Sequence, residues 1–311
     1  GHIIREEDIP VLLSVGKDSV YIWENDETMM HENDAAEVLY RMTANEHMHP
    51  SDVKEGKIEV IADTEGLLKV DREKLKKVNA FGEMMIATRH GNTVVKKGDK
   101  LAGTRIIPLV IKKDKMQEAE KICDGTPILK ILPFTVKKAA IITTGNEVYH
   151  GRIKDAFTPV IEQKIAEFGA EMMFHEIFDD NDRKITDGCL RAIEAGADIV
   201  FCTGGMSVDP DDKTPLAIKN TGAEMISYGS PVLPGAMFLL SYYRKGDKVI
   251  PICGLPGCAM YNRRTIFDLV LPRLMAADPV TADELASLGE GGLCLNCKVC
   301  TFPNCGFGKG W

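Results

Sequence analysis

From Pro133 onward, apolar and polar positions fall into two alternating rhythms. Val136 to Thr144 is a short apolar strand with a basic start. Pro159 to Phe168 follows as a helix, with Val160, Ile161, Ile165 and Phe168 at helical spacing and Pro159 suited to the first turn. Met172 to Phe178 reads as a strand, and Asp182 to Ala195 as a helix with Ile185, Cys189, Leu190 and Ile193 on one face. Asp198 to Thr203 is a continuous apolar run, the kind of strand buried on both faces of a parallel sheet. Two further strands, Met237 to Tyr243 and Lys248 to Cys253, lead to a long amphipathic helix from Cys258 to Met275. Such alternation predicts right-handed crossovers and an α/β fold: a doubly wound, mostly parallel sheet with helices on both faces.

The first part of the chain has a different pattern. A helix over Glu6 to Leu13 and a strand-like run over Ser19 to Trp23 precede a helix over Asp34 to Met42. Short β-rich pieces then surround one helix, Arg72 to Val78, with Gly56, Gly66, Gly91, Gly98 and Gly103 as punctuation. These features predict a smaller α+β domain over residues 1–134, treated as a specificity or dimer-forming domain of unknown role, ahead of the α/β domain at 135–280 and a Cys-rich tail at 281–311. Lys112 to Pro133, with its charged helical piece Asp114 to Ile122, reads as the connection between the two domains.

Composition narrows the classes. The 311 residues match about two domains at about 150 residues each, and 44% hydrophobic with 27% charged residues is ordinary globular usage. A net charge of -8 argues against a protein whose whole surface binds nucleic acid. Apolar runs such as Ile106 to Ile111 and Met237 to Leu240 fall far short of the roughly 20 residues of a bilayer helix, so no membrane span is expected. The opening GHIIREEDIP lacks a basic region followed by an apolar one, and a cytoplasmic protein is the expectation. Cys123, Cys189, Cys202, Cys253 and Cys258 sit in apolar or Gly-rich contexts expected of reduced, buried thiols.

Ligands of open α/β sheets sit outside the carboxyl ends of the strands, and three loops there carry chemistry. The first is Thr143-Thr144-Gly145-Asn146-Glu147, leading to Gly151 and Asp155; the second runs from Thr203-Gly204-Gly205-Met206-Ser207 to Asp211-Asp212 and Lys213-Thr214-Pro215; the third is Gly254-Leu255-Pro256-Gly257. Glycines after a buried strand let the backbone approach a ligand and turn N–H groups toward an anion. The hydroxyls of Thr143, Thr144, Thr203 and Ser207 add donors, and Asp155, Asp211 and Asp212 are candidates to hold a divalent cation bridging to a phosphate. Any one loop read alone is equally a strand-to-helix turn with a capping Asp.

Together the loops resemble the cofactor-binding domain shared by molybdopterin adenylyltransferases and molybdopterin molybdenumtransferases, over about Lys137 to Asp278. TTGNE followed by Gly151 and Asp155 is similar to the family's first motif, TGGMSVDPDDKTP to its second, and GLPG to the turn of the molybdenumtransferase branch. The opening GHIIREEDIPVLLSVGK also resembles a segment of molybdenumtransferases. The resemblance implies Asp155 and Asp212 as the catalytic acidic pair, working with Mg²⁺. It implies Thr144, Gly145, Asn146, Glu147, Gly204, Gly205, Ser207, Pro234, Gly235, Pro256 and Gly257 as cofactor contacts. Phe157-Thr158 stands where the family shows Ser or Asn with Gly, Cys258 where it shows Asn, and Ala236-Met237 where the molybdenumtransferase branch shows Lys-Pro. The implied ligands are molybdopterin or its adenylylated form, and molybdate. The implied function is molybdenum cofactor biosynthesis, by molybdate insertion or adenylyl transfer, in a homo-oligomer. The alternatives are a non-catalytic carrier or chaperone delivering finished cofactor to a molybdoenzyme, with the Cys-rich tail as its docking element, and a pterin-responsive regulatory sensor.

A separate signal lies in the tail. Cys294-x2-Cys297-x2-Cys300-x4-Cys305 places four thiols within a dozen residues, with Pro303, Gly306 and Gly308 permitting tight turns. Four thiolates suit Zn²⁺ or an iron–sulfur cluster, and the spacing is close to the bacterial ferredoxin run without matching it. Disulfides, a free reactive tail and a site completed by a partner are the alternatives. His31, His47 and His49, near Glu32 and Glu46, read as solvated loop histidines because no pair has the helical i, i+4 zinc spacing.

Overall fold

The structure, a computed structural model, describes residues 4–20 and 26–310. Its largest sheet comprises β1 (Lys138–Thr144), β2 (Glu171–Phe178), β3 (Ile199–Thr203), β4 (Glu224–Tyr228), β5 (Leu239–Lys245) and β6 (Lys248–Leu255), in the order 2-1-3-6-5-4. β2, β1, β3 and β6 are parallel, whereas β5 pairs antiparallel with β6 and with β4. The helices are α1 (Asn146–Tyr149), α2 (Phe157–Ala166), α3 (Asp182–Glu194), α4 (Thr214–Asn220), α5 (Cys258–Tyr261), α6 (Ile266–Met275) and α7 (Ala282–Ser287). This is the expected doubly wound α/β architecture.

Period-2 alternation sorts the strands between two apolar layers. Ile141, Phe201 and Leu255 face α2 and α6, where Phe201 and Phe267 meet edge to face, while Ile142, Val200 and Ile252 face α3 and α4. β3 is buried at every residue, which explains its unbroken apolar run.

Two expectations are corrected. The helix predicted over Cys258 to Met275 is two helices, because Thr265 and Asp268 form a reciprocal cap that starts α6 anew: Asp268 accepts from the Thr265 N–H (2.8 Å) and Thr265 from the Phe267 N–H (3.2 Å). The Lys112 to Pro133 stretch is not a free connection. Its helix, Lys113–Cys123, buries Met116, Ala119 and Cys123 in the first unit's core, and Leu129–Leu132 pairs with Gly66–Val70. In the Cys-rich tail, Phe307 and part of Phe302 pack onto the α/β core. The strand-like run at Ser19 to Trp23 extends into residues 21–25, which lie outside the described residues.

The first unit holds a four-stranded sheet, Met48–Pro50, Lys57–Ala62, Lys100–Ile106 and Met84–Thr88, and a three-stranded one, Thr93–Val95, Gly66–Val70 and Leu129–Leu132. Helices Glu32–Thr43, Arg72–Asn79 and Lys113–Cys123 complete its core. Lys69 of this unit reaches Asp278 at 2.7 Å, and Arg72 donates to the Gly310 carbonyl at 3.2 Å. Among the described residues no helix is long and apolar enough to cross a membrane.

Candidate functional site

The register Thr143↔Thr203↔Leu255 ends three parallel strands at one level. The three glycine-containing loops therefore leave the sheet side by side, at its carboxyl edge.

The first loop starts at Gly145, whose φ of +133° turns the chain into α1. Asn146 donates its N–H to Asp180 at 3.1 Å, and the Glu147 carboxylate folds back over Gly145. Further on, Asp155 anchors the start of α2. One of its oxygens accepts the N–H groups of Phe157 (2.8 Å) and Thr158 (3.1 Å), and the other accepts the hydroxyls of Thr143 (2.8 Å) and Thr158 (2.6 Å). His175 Nε2 lies 3.4 Å from the same carboxylate and 3.2 Å from each of those hydroxyls. Burial pushes the Asp155 carboxyl up, but the donors from Thr158, Thr143 and Phe157 outweigh it and hold the carboxyl below the usual range. A carboxylate this fully engaged is a positioning group, with little left for a metal ion.

In the second loop, Gly204 takes φ +82°, and a Cβ there would collide with the Thr144 carbonyl oxygen. Thr144 is buried and donates to the Thr203 carbonyl at 3.0 Å; its hydroxyl also lies 2.9 Å from that of Thr214, which donates to the Gly204 carbonyl at 2.8 Å. Thr144 and Gly204 thus lock two loops together, while the exposed Ser207 stands beyond the turn. The Thr203 hydroxyl at the strand end is buried and has no hydrogen-bond partner among the described residues.

Carboxylates gather at this edge. Burial raises the Asp180 carboxyl, the Asn146 N–H lowers it, and the neighbouring Glu147, Asp212 and Asp211 raise it again. Burial, with a contribution from Asp212, also raises Tyr228, whose hydroxyl donates to the Met206 carbonyl at 2.9 Å. Asp155 and Asp212 are therefore not equivalent: one is built into the α2 cap and the other belongs to the Glu147–Asp180–Asp211 group. Sequence reasoning missed Asp180 and His175; the position of each at or near the carboxyl half of β2 was the available signal.

The third loop carries Pro256 and Gly257 into α5, with open space around the Gly257 Cα. Pro234 and Gly235 sit against the start of α6: Ile266 donates its N–H to the Pro234 carbonyl at 3.1 Å, and a Cβ on Gly235 would strike the Ile266 side chain. Pro234 also lines a cavity of about 260 Å³ with all four tail cysteines. Among the described residues no three His, Cys, Asp or Glu side chains converge to hold a metal ion, so the thiols ring this cavity without meeting at a point.

Fold and loops together define a doubly wound α/β domain with three glycine-containing loops at the carboxyl edge of its sheet. Residues 140–276 match the family model described as "Probable molybdopterin binding domain", and the resemblance read from the loops holds over that segment. Residues 1–24 match a domain of unknown function. A competence-damage inducible protein of Bacillus cereus strain B4264 is 30% identical over 129 residues, 42% of this chain and 30% of its own length. Its counterpart in Bacillus subtilis strain 168 is 32% identical over 85 residues, 27% of this chain and 20% of its own. The chain thus spans about a third or less of the curated relatives it matches. Among solved structures, the tungsten cofactor synthesizing protein MoaB from Pyrococcus furiosus aligns at 18% identity over 46% of this chain and 98% of its own, with a TM-score of 0.39. The protein CinA from Thermoplasma acidophilum aligns at 19% identity over 45% of this chain and 98% of its own, with a TM-score of 0.35.

Proposed function

We propose that the carboxyl edge of the sheet binds molybdopterin, or its adenylylated form, through its phosphate, and that the protein acts in molybdenum cofactor biosynthesis by molybdate insertion or adenylyl transfer. The observation that carries this reading is the shared level of the three loops, within the very segment that matches the molybdopterin-binding family model. Backbone N–H groups after Gly204 and beside Gly257 would take the phosphate oxygens, Ser207 would add a hydroxyl, and the partnerless Thr203 hydroxyl is a polar group still to be satisfied.

Mg²⁺ fits this edge only in part. Asp155 is saturated, whereas Asp212 and Asp180 are the carboxylates that would hold the ion together with the ligand's own phosphate oxygens, the usual mode for Mg²⁺. Such an ion supplies charge neutralisation during transfer. The residues' own work is distinct: Asp155 fixes the α2 start and orients Thr143, Thr144 and Gly204 fix the spacing of the loops, and Glu147 covers Gly145.

The saturation of Asp155, with Ala236 and Cys258 at positions where the molybdenumtransferase branch has Lys and Asn, favours a second reading, a carrier that holds finished cofactor for a molybdoenzyme. Supplying the protein with molybdopterin, molybdate and Mg²⁺ and reading the activity of an apo-molybdoenzyme separates the two. Under the transferase reading, Asp212→Asn cuts turnover by about a hundredfold or more and leaves molybdopterin affinity within about tenfold. A wild type that binds molybdopterin yet converts nothing, with or without nucleotide, establishes the carrier instead.

A further inference from the structure

The tail is absorbed by neither reading, and its architecture is specific. Glycines build a neck that closes the loop: Gly308 donates its N–H to the Gly291 carbonyl at 3.0 Å, and at φ +74° it packs so tightly on Leu269 that a Cβ would collide with that side chain. Leu293 bridges Leu233 beside one end of the loop, and the buried Phe307 anchors the other. Between these anchors the loop carries Cys294, Cys297, Cys300 and Cys305, all lining the same cavity of about 260 Å³.

What the loop lacks is a core. Leu295 and Val299 are 78% and 77% exposed, and all four thiols are free, with Cys297 and Cys300 open to solvent and Cys294 and Cys305 half-buried. Cationic groups stand around it: Arg264 lies against Cys300, Lys309 lies near Cys305, and Arg263 donates to the Lys298 carbonyl at 3.4 Å.

The geometry points to an iron–sulfur site: we propose that Cys294, Cys297, Cys300 and Cys305 ligate one [4Fe–4S] cluster per chain. The first three thiols, at successive x2 spacings, match the start of the bacterial cluster-binding run, while the fourth follows at x4 where that run has x3, so one cluster held by all four is this loop's own arrangement. A single zinc ion requires its four sulfurs to converge at about 2.3 Å from one point. A cluster holds its thiolates farther apart around a filled volume, and the four thiols line one cavity of about 260 Å³. In assembly, four thiols release four protons. The thiolates then bind two ferrous ions, two ferric ions and four sulfides, giving a complex of net charge -2 that the surrounding Arg and Lys groups offset.

The test is anaerobic reconstitution of the full chain with iron salts, sulfide and a thiol reductant, followed by iron and sulfide analysis and visible absorption. The expected result is about four irons and four sulfides per chain, with a broad visible absorption that dithionite bleaches. Cys297→Ala with Cys300→Ala alters only exposed positions, so the variant should keep the wild-type far-UV circular dichroism and bind less than about one tenth of the iron; Cys258→Ala, outside the loop, should bind as wild type. Stoichiometric uptake of zinc in preference to iron overturns the proposal. So does a wild type with four titratable thiols that takes up no iron, or full iron binding by the double variant.

Discussion

At the residue scale, Gly204 and Asp155, the one expected as a cofactor contact and the other as a catalytic acid, also hold the frame of the three loops. Gly204 is required by the Thr144 carbonyl against which it packs. Gly204→Ala should destabilise the protein by about 3 kcal/mol. Gly205→Ala should cost less, since its Cβ would meet the Thr214 hydroxyl at 2.8 Å rather than backbone. Urea denaturation of the two variants checks the order, and equal losses would contradict it. Asp155 gives a pH-dependent counterpart. Its folded-state carboxyl sits below the ordinary 3.8, so the stability it contributes is complete above that value and is lost as pH falls through the lowered one. Asp155→Asn should therefore cost about 1–2 kcal/mol at pH 7, with the deficit shrinking as the pH falls below 3.8. Denaturant midpoints across that range are the measurement, and a deficit independent of pH would refute it. Neither role was legible in the sequence: a Gly after a strand and an Asp before a helix look the same whether they serve a ligand or a neighbouring loop.

At the element scale, Asp268 is the joint of the apolar layer that carries α2 and α6. Nearly buried, it caps α6 through Thr265, pairs with Arg264 at 2.8 Å and forms a close ion pair with Lys164 on α2, a side chain only 13% exposed. Asp268→Ala leaves Lys164 charged and partly buried without its partner and removes the helix cap, so a loss of about 3–5 kcal/mol is expected. Thermal or urea unfolding checks it, and a loss below about 1 kcal/mol would show that Lys164 finds water instead. The parallel strands were legible because burial on both faces demands unbroken apolar runs such as Ile199 to Thr203. The break before α6 carried its own signal in Thr265-x-x-Asp268, which the apolar periodicity on either side concealed. β4 was missed because an edge strand, EMISY with its exposed Glu224, Met225 and Tyr228, has no apolar alternation to display.

At the scale of the whole molecule, the three glycine-containing loops crown the parallel strands, while Pro234 and Gly235 pack on the start of α6 and Pro234 also lines the thiol-lined cavity. The first unit meets the α/β domain where Lys69, Asp278 and Arg273 form a linked set of ion pairs, beside a cleft of about 820 Å³ that shares Arg264, Phe302 and Phe307 with the thiol-lined cavity. No sequence pattern could place these pieces, because contacts such as Lys69 to Asp278 join residues more than two hundred positions apart. Whether the crown of loops holds an anionic ligand is tested by adding a charge to it. Ser207 is exposed, so Ser207→Asp should leave stability unchanged and place a carboxylate where an anionic ligand would rest. Titration of the folded wild type and variant with molybdopterin should show binding by the first and affinity at least about tenfold weaker in the second. Equal affinities, or a wild type that does not bind molybdopterin, would contradict the account.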